Sequence, residues 1–424
     1  MPSRPRQRTP LRFGANYVPS AGWFYSWLDF DADTVRRDFA DLAELGLDHV
    51  RIFPVWPWLQ PNRGLVRASA LNDVLTTIDC AAEFGLDVAV DLIQGHMSSF
   101  DFLPSWVLTW HQASIFTDRT VREGLAHYVE VLSGAVAGRR NVFALTLGNE
   151  VNNLWPANPT TRQQSHDWAA ELLDTARAAA PDLLCLHSLY DDAWYAADHP
   201  FAQGDAATLG DLTTVHSWVF NGVSRLDGPL GPATVSHADY LVELAAAAAT
   251  APRRPVWLQE VGAPRPDIPA ALAADFTRTT IEQVWHNPAL FGITWWCSHD
   301  IDRSLLDFPD REYDLGLFTV DHQRKPAAEA IAELITRRGT ATPDATRPGL
   351  VCPVDLGDPA ARDALAPGSA FHRAWVTRRA HGPVAIVPAA RAANAEYRAA
   401  RGISSLLEGT ADLDDADRDA LEAR

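Results

Sequence analysis

Two apolar runs in this chain end on a glutamate. The segment "LTLGNEVNNLW" (145–155) alternates Leu145 and Leu147 with Thr146, opens the backbone at Gly148 and delivers Asn149 and Glu150 side by side. A second run, "PVWLQEVGAP" (255–264), delivers Glu260. Taken singly, a carboxylate at a strand end is as readily an ion-paired structural group as a reactive one. Two that face each other across a cleft can cut a glycosidic bond, one protonated to donate to the leaving oxygen and the other ionised to attack the sugar. That division of labour requires two different environments. Arg51, near the end of "DHVRIF" (48–53), supplies a cation that would keep its neighbour ionised. Asn149 suits a hydrogen bond to the sugar hydroxyl beside the reacting carbon, or a cap on the following turn.

Whether the two glutamates meet depends on the elements that carry them. Residues 11–338 alternate short apolar runs with amphipathic stretches, the pattern of a parallel α/β sheet. Eight runs qualify as strands: 12–17, 48–53, 87–93, 142–147, 183–188, 212–218, 255–260 and 291–296. Eight units point to a closed (β/α)8 TIM barrel with a short C-terminal extension. Helix signals agree: "DADTVRRDFADLAELG" (31–46) begins acidic, places Val35, Phe39, Leu42 and Leu45 on one face and stops at Gly46. The grammar recurs in 69–85, and "LGLDHVRIF" and "FGLDVAVDL" repeat one helix-to-strand join. A barrel gathers its chemistry at the C-terminal ends of its strands. Reading only those ends selects Arg51, His96, Asn149, Glu150, His216, Trp218, Glu260 and Trp296. Glu150 closes the fourth strand and Glu260 the seventh, across the mouth from each other.

Histidines at strand ends, His96, His187 and His216, raise a metal-dependent hydrolase as a rival. The first strand ends "GANY" without His-x-His, and neither H-E-x-x-H nor a Cys/His ligand spacing occurs, so no metal or other cofactor is expected. His96 and His216 read better as hydrogen-bond partners of a sugar or of the glutamates. Trp296, in "ITWWCSHD", would floor the reacting subsite, while Trp295 would face the opposite way in a regular strand. Trp23, Trp27, Trp56, Trp58, Trp106, Trp110 and Trp155 also follow strand ends, where pocket wall and packing are equal readings.

The formal charge of −18, from 54 acidic and 36 basic residues, argues against nucleic acid and anionic membranes as partners and suits a neutral oligosaccharide. Four isolated cysteines (Cys80, Cys185, Cys297, Cys352) form no framework. The basic start "MPSRPRQRTPLRFGANY" lacks the apolar run of a signal peptide, so a cytoplasmic enzyme is expected. The oligomeric state is left open. The catalytic barrel is assigned to 1–338. The Pro/Gly/Asp-rich stretch after it reads as a linker or strap, followed by an apolar run (382–388), a helical stretch (389–409) and an acidic end (410–424) of unassigned role.

With these residues in this order, the chain resembles glycoside hydrolase family 5 and its clan of retaining barrel enzymes over 11–338. The resemblance implies Glu150 as acid/base and Glu260 as nucleophile, with Arg51, His96 and Trp296 matching the second-, third- and eighth-strand positions. One position departs: the family's His-x-Tyr after the sixth strand reads His216-Ser217-Trp218 here, and an indole donates but cannot accept. The segments "FGANYVPSAGWFYSWLDF", "RIFPVWPWLQPNRG" and "QGHMSSFDFLPSW" resemble subfamily 18. This implies an exo-acting β-mannosidase on small β-1,4-mannosides such as mannosyl-N-acetylglucosamine, with the long stretches 94–117 and 297–318 closing the cleft. An endo-β-mannanase or β-glucanase on the same scaffold is the alternative; a barrel that binds sugar without cutting it is the alternative of another class.

Overall fold

The computed structural model describes residues 11–109, 113–340 and 346–407; Trp110 and the acidic end 410–424 lie outside them. Eight parallel strands form the barrel: β1 (Arg12–Asn16), β2 (His49–Ile52), β3 (Asp87–Ile93), β4 (Val142–Gly148), β5 (Leu184–Leu186), β6 (Thr213–Ser217), β7 (Val256–Val261) and β8 (Leu290–Trp295). Their pairing runs β5-β4-β3-β2-β1-β8-β7-β6. The eight expected strands all form, at slightly different bounds. The shortest is β5, and the seam between β5 and β6 closes through one bridge, His187 to Thr213. Thr214 Oγ1 donates to His187 O (3.0 Å), and Asp211 N to Cys185 O (2.9 Å). Gly210 (φ 68°) lets the chain approach there, because a Cβ would sit 2.6 Å from Cys185 O.

The first helices show sequence signals at their ends. The first, α1 (Ala32–Glu44), starts where Asp31 accepts from the amides of Asp33 and Thr34, and buries Val35, Phe39 and Leu42. Gly46, at φ 87°, turns the chain into β2. The next, α2 (Ala68–Glu83), is followed by Gly85 at φ 71° in the same way. Then come α3 (Arg119–Val136), α4 (Arg162–Ala179), the short α5 (Gln203–Thr208), α6 (Pro232–Ala248), α7 (Ala273–Val284) and α8 (Pro326–Arg337). Among the described residues no helix is long and apolar enough to cross a membrane.

The C-terminal extension differs from the expected linker and single helical stretch. It contains β9 (Arg347–Cys352), α9 (Ala370–Arg379), β10 (Ala385–Pro388) and β11 (Ile403–Leu407), with β9 central in a parallel three-stranded sheet. Two short helices, Ala389–Ala392 and Ala395–Ala400, stand where one was read. Gly349 is needed in β9, since a Cβ would meet Val387 at 2.5 Å and Ile403 at 2.9 Å. The layer packs on α6, which explains why a helix reading "VELAAAAA" has almost no exposed face.

Glu243 of α6 is the electrostatic anchor of that contact. It takes Arg347, Arg401 (2.7 Å), Asn287 (2.8 Å) and the amide of Ile386 (3.1 Å), all buried. The two guanidiniums hold its carboxyl below the ordinary value against the opposing effect of burial. Removing one partner of a buried ion group leaves the others charged and unpaired. Glu243→Ala is therefore expected to lose about 3–5 kcal/mol in urea unfolding, far more than a surface Glu→Ala.

Candidate active site

Backbone geometry delivers both glutamates to one cavity of about 330 Å³ at the mouth of the barrel. Gly148 lets β4 lie against β3, where a Cβ would stand 2.4 Å from Ile93 O. Glu150 follows in the left-handed region (φ 45°, ψ 43°), which costs a non-glycine residue about 1 kcal/mol or more, and opens the turn Val151–Leu154. On the other side, the β6–β7 register slips by one residue: Val215 pairs with Leu258 but His216 with Glu260. This bulge re-aims the strand, so that the successive residues Gln259 and Glu260 both contact His216.

The imidazole of His216 stands between the carboxylates. Its Nδ1 is 2.6 Å from Glu150 Oε1 and 3.2 Å from Glu260 Oε2, and one ligand oxygen of each glutamate lies within 4.8 Å of the other. Two carboxylate oxygens converge on Nδ1, which calls for a proton there, while Nε2 lies 3.1 Å from the Ser188 hydroxyl and 3.2 Å from Gln259 Oε1. Burial lowers the histidine pKa and keeps the ring neutral.

Arg51, fully buried, uses all its donor nitrogens. It forks onto Asp91 (2.8 and 2.6 Å), reaches Glu260 Oε1 (2.8 Å) and Asn16 Oδ1 (3.1 Å), and donates to Asn149 Oδ1 (2.9 Å). Asn149 in turn donates to His96 O at 3.2 Å, and His96 Nδ1 meets Asp101 at 2.7 Å across a small hairpin. Trp218 donates Nε1–H to Glu260 Oε2 at 3.2 Å, so the departure from His-x-Tyr retains a donor on that carboxylate. Asn153 donates to Glu150 Oε2 at 3.1 Å. Trp296 faces the cavity, boxed edge-on by Phe53, Trp23 and Trp218 at 5.6–6.4 Å, while Trp295 is buried in the core.

The eight residues picked at the strand ends thus come together. Six line the cavity, and Arg51 and His216 stand behind the glutamates. Of the further tryptophans, Trp23, Trp27, Trp56, Trp58, Trp106 and Trp155 do not line it. Sequence reasoning missed Asp91, although a charge inside "DVAVDLI" was the available signal. It also missed Gln259, Ser188 and Asn153, and the loop residues Ser98 and Glu312, which no periodicity marks. Glu150, His216 and Glu260 have metal-ligand chemistry in their donor set. Here the positive charge facing Glu260 is the guanidinium of Arg51.

Burial is the main influence on both carboxyls and pushes each up to about 7. His96 and Arg51 pull Glu150 back down; His216 and Arg51 act likewise on Glu260, while Glu150 opposes them. Both carboxyls titrate above their ordinary value of 4.5, so the native state keeps protons that the unfolded chain has released. Stability on this ground is complete below pH 4.5 and falls as pH rises towards 7. Glu150→Gln removes the cost of the buried charge and should raise the Tm by about 2–4 °C at pH 8 and by nothing at pH 4, read by thermal unfolding.

Carboxylates facing each other across the mouth of a parallel barrel, over an aromatic floor, define a glycoside hydrolase. No family profile matches the chain, and no curated protein does. Solved structures do match. A variant of a family 5, subfamily 18 protein from Streptomyces cattleya, in complex with Manβ1-4GlcNAc, is 48% identical with a TM-score of 0.91, covering 95% of this chain and 99% of that one. A subfamily 18 variant from Bifidobacterium longum with the same disaccharide is 41% identical with a TM-score of 0.90, covering 94% and 96%. An exo-β-1,4-mannosidase from an Opitutaceae bacterium, 22% identical with a TM-score of 0.78 over 97% and 75%, shares the fold. The chain belongs to glycoside hydrolase family 5, subfamily 18.

Proposed function

We propose that the protein is a retaining, exo-acting β-mannosidase that releases mannose from mannosyl-β-1,4-N-acetylglucosamine in the cytoplasm, with Glu260 as nucleophile and Glu150 as acid/base. The observation that carries the mechanism is the spacing of the two carboxylates: within 4.8 Å of one another, they are near the roughly 5–5.5 Å of retaining enzymes and too close to admit an inverting water. The division of roles follows from the donors. Glu260 accepts from the Arg51 guanidinium and from Trp218, which favour its ionised form; Glu150 is bonded by an amide and a neutral imidazole and by no cation, which favours it as the proton carrier.

In the first step a Glu260 oxygen attacks the anomeric carbon while Glu150 protonates the departing glycosidic oxygen, releasing N-acetylglucosamine. Glu150, now ionised, takes a proton from water, which attacks the same carbon and expels Glu260. The sugar is retained in the β configuration by two inversions. His216 serves both steps by donating one N–H to whichever carboxylate carries charge.

Exo action fits a cavity of about 330 Å³, at the small end of ligand pockets and suited to a short saccharide rather than a polymer. The sugar and aglycone are those bound by the two subfamily 18 relatives. Four buried, unbridged cysteines fit a reducing compartment. The test is hydrolysis of an aryl β-D-mannoside beside the β-D-glucoside and a β-1,4-mannan. Turnover of the mannoside alone is expected; preference for the glucoside or internal cuts in mannan would overturn the reading.

A further inference from the structure

We propose that Glu312, set by Ser98, recognises a hydroxyl group of the terminal mannose, as a third carboxyl in the pocket with a binding role. The inference rests on the β-mannosidase reading and names what selects the non-reducing sugar. Glu312 belongs to the turn Asp310–Glu312 in the loop after β8 and lines the same cavity as Glu150 and Glu260.

Its setting is costly unless a ligand completes it. Ser98 stands beside its carboxyl and works against the effect of burial on it, and Ser98 is itself held by Trp23 Nε1–H at 3.2 Å. Its Oε2 is buried with no hydrogen-bond partner among the described residues. The neighbouring cation, Arg311, lies over the Phe220 ring at 4.5 Å rather than on the carboxyl. Burial pushes the Glu312 carboxyl up to about 7. Glu312 as a whole is half-buried, but an oxygen shielded from water without a donor costs free energy that a sugar hydroxyl would restore.

The hairpin that presents Ser98 is strained in a matching way. Ser98 (φ 50°) and Ser99 (φ 69°) are both left-handed at the tip between His96–Met97 and Phe100–Asp101, where Asn-Gly is the favoured pair. Two serines there cost about 1 kcal/mol or more each, and both line the cavity. Strain on one wall and an underpaired carboxyl on the facing loop meet in one cavity, where Ser98 stands beside Glu312. Hydroxyls are the ligand chemistry that both sides accept.

The test combines Glu312→Gln and Glu312→Ala with the aryl β-mannoside and its 2-, 3-, 4- and 6-deoxy analogues, melting curves confirming the fold. The wild type is expected to lose at least about 10-fold in kcat/KM on deletion of one particular hydroxyl. In Glu312→Ala that loss should shrink to within about 2-fold while the other deletions keep theirs, with Glu312→Gln between the two. Equal deletion losses in wild type and variants would overturn the proposal. So would a variant that only displaces the pH profile, since Glu312 would then act through the proton of Glu150. Failure of the wild type to cleave the parent mannoside would overturn the β-mannosidase reading, and this inference with it; turnover with unchanged deletion losses would overturn this inference alone.

Discussion

Glu260→Ala is expected to lower kcat on an aryl β-mannoside by about 10⁴-fold or more, because the variant loses the carboxylate that attacks the anomeric carbon. The fold should survive: Arg51 keeps both of its bonds to Asp91 and those to Asn16 and Asn149 when Glu260 is removed. The alanine leaves a space beside the guanidinium and the indole N–H of Trp218, a natural seat for a small anion. Azide should restore part of the rate and give the α-mannosyl azide, the product of a single inversion. A variant that folds, binds the sugar and accepts no added nucleophile would show that Glu260 is not the attacking group. The sugar-binding barrel without catalysis makes the opposite forecast, since it has no turnover to lose.

The second large effect separates the two steps. Glu150→Ala is expected to lower kcat/KM by about 10³-fold or more on mannosyl-N-acetylglucosamine, whose leaving alcohol needs a proton, and far less on a dinitrophenyl mannoside, whose phenolate leaves unaided. With the activated substrate the second step becomes limiting, because no base is left to activate water. Azide should then bypass it and give the β-mannosyl azide. The alkaline limb of the pH profile, which reports loss of the Glu150 proton, should vanish from the first step. Equal losses on both substrates would remove Glu150 from the role of acid.

Most of the site was legible because a barrel turns a one-dimensional pattern into a ring. Each strand end reaches the same mouth, so Arg51, Glu150, His216 and Glu260 could be placed together from chain order alone. Alternation along β8 likewise separated Trp295, in the core, from Trp296, in the cavity. The local irregularities were hidden. The bulge that turns both Gln259 and Glu260 toward His216 breaks the period of two, and the left-handed Glu150 breaks the strand that carries it. Glu312 and Ser98 lie in loops more than two hundred residues apart, and only folding brings them into one cavity. The β9–β11 layer reads as a strap because Pro, Gly and Asp run through the stretch around its first strand, whereas the parallel sheet needs Gly349 for close packing. The unbroken apolar surface of α6 was the signal that something must cover it.

The most direct measurement is proton NMR of the first minutes of mannosyl-β-1,4-N-acetylglucosamine hydrolysis, following the anomeric signals before mutarotation. Glutamates this close require β-mannose to appear first, together with free N-acetylglucosamine, and α-mannose to grow in later at the spontaneous rate. α-Mannose as the first product would contradict the double displacement, and an intact disaccharide would contradict the substrate.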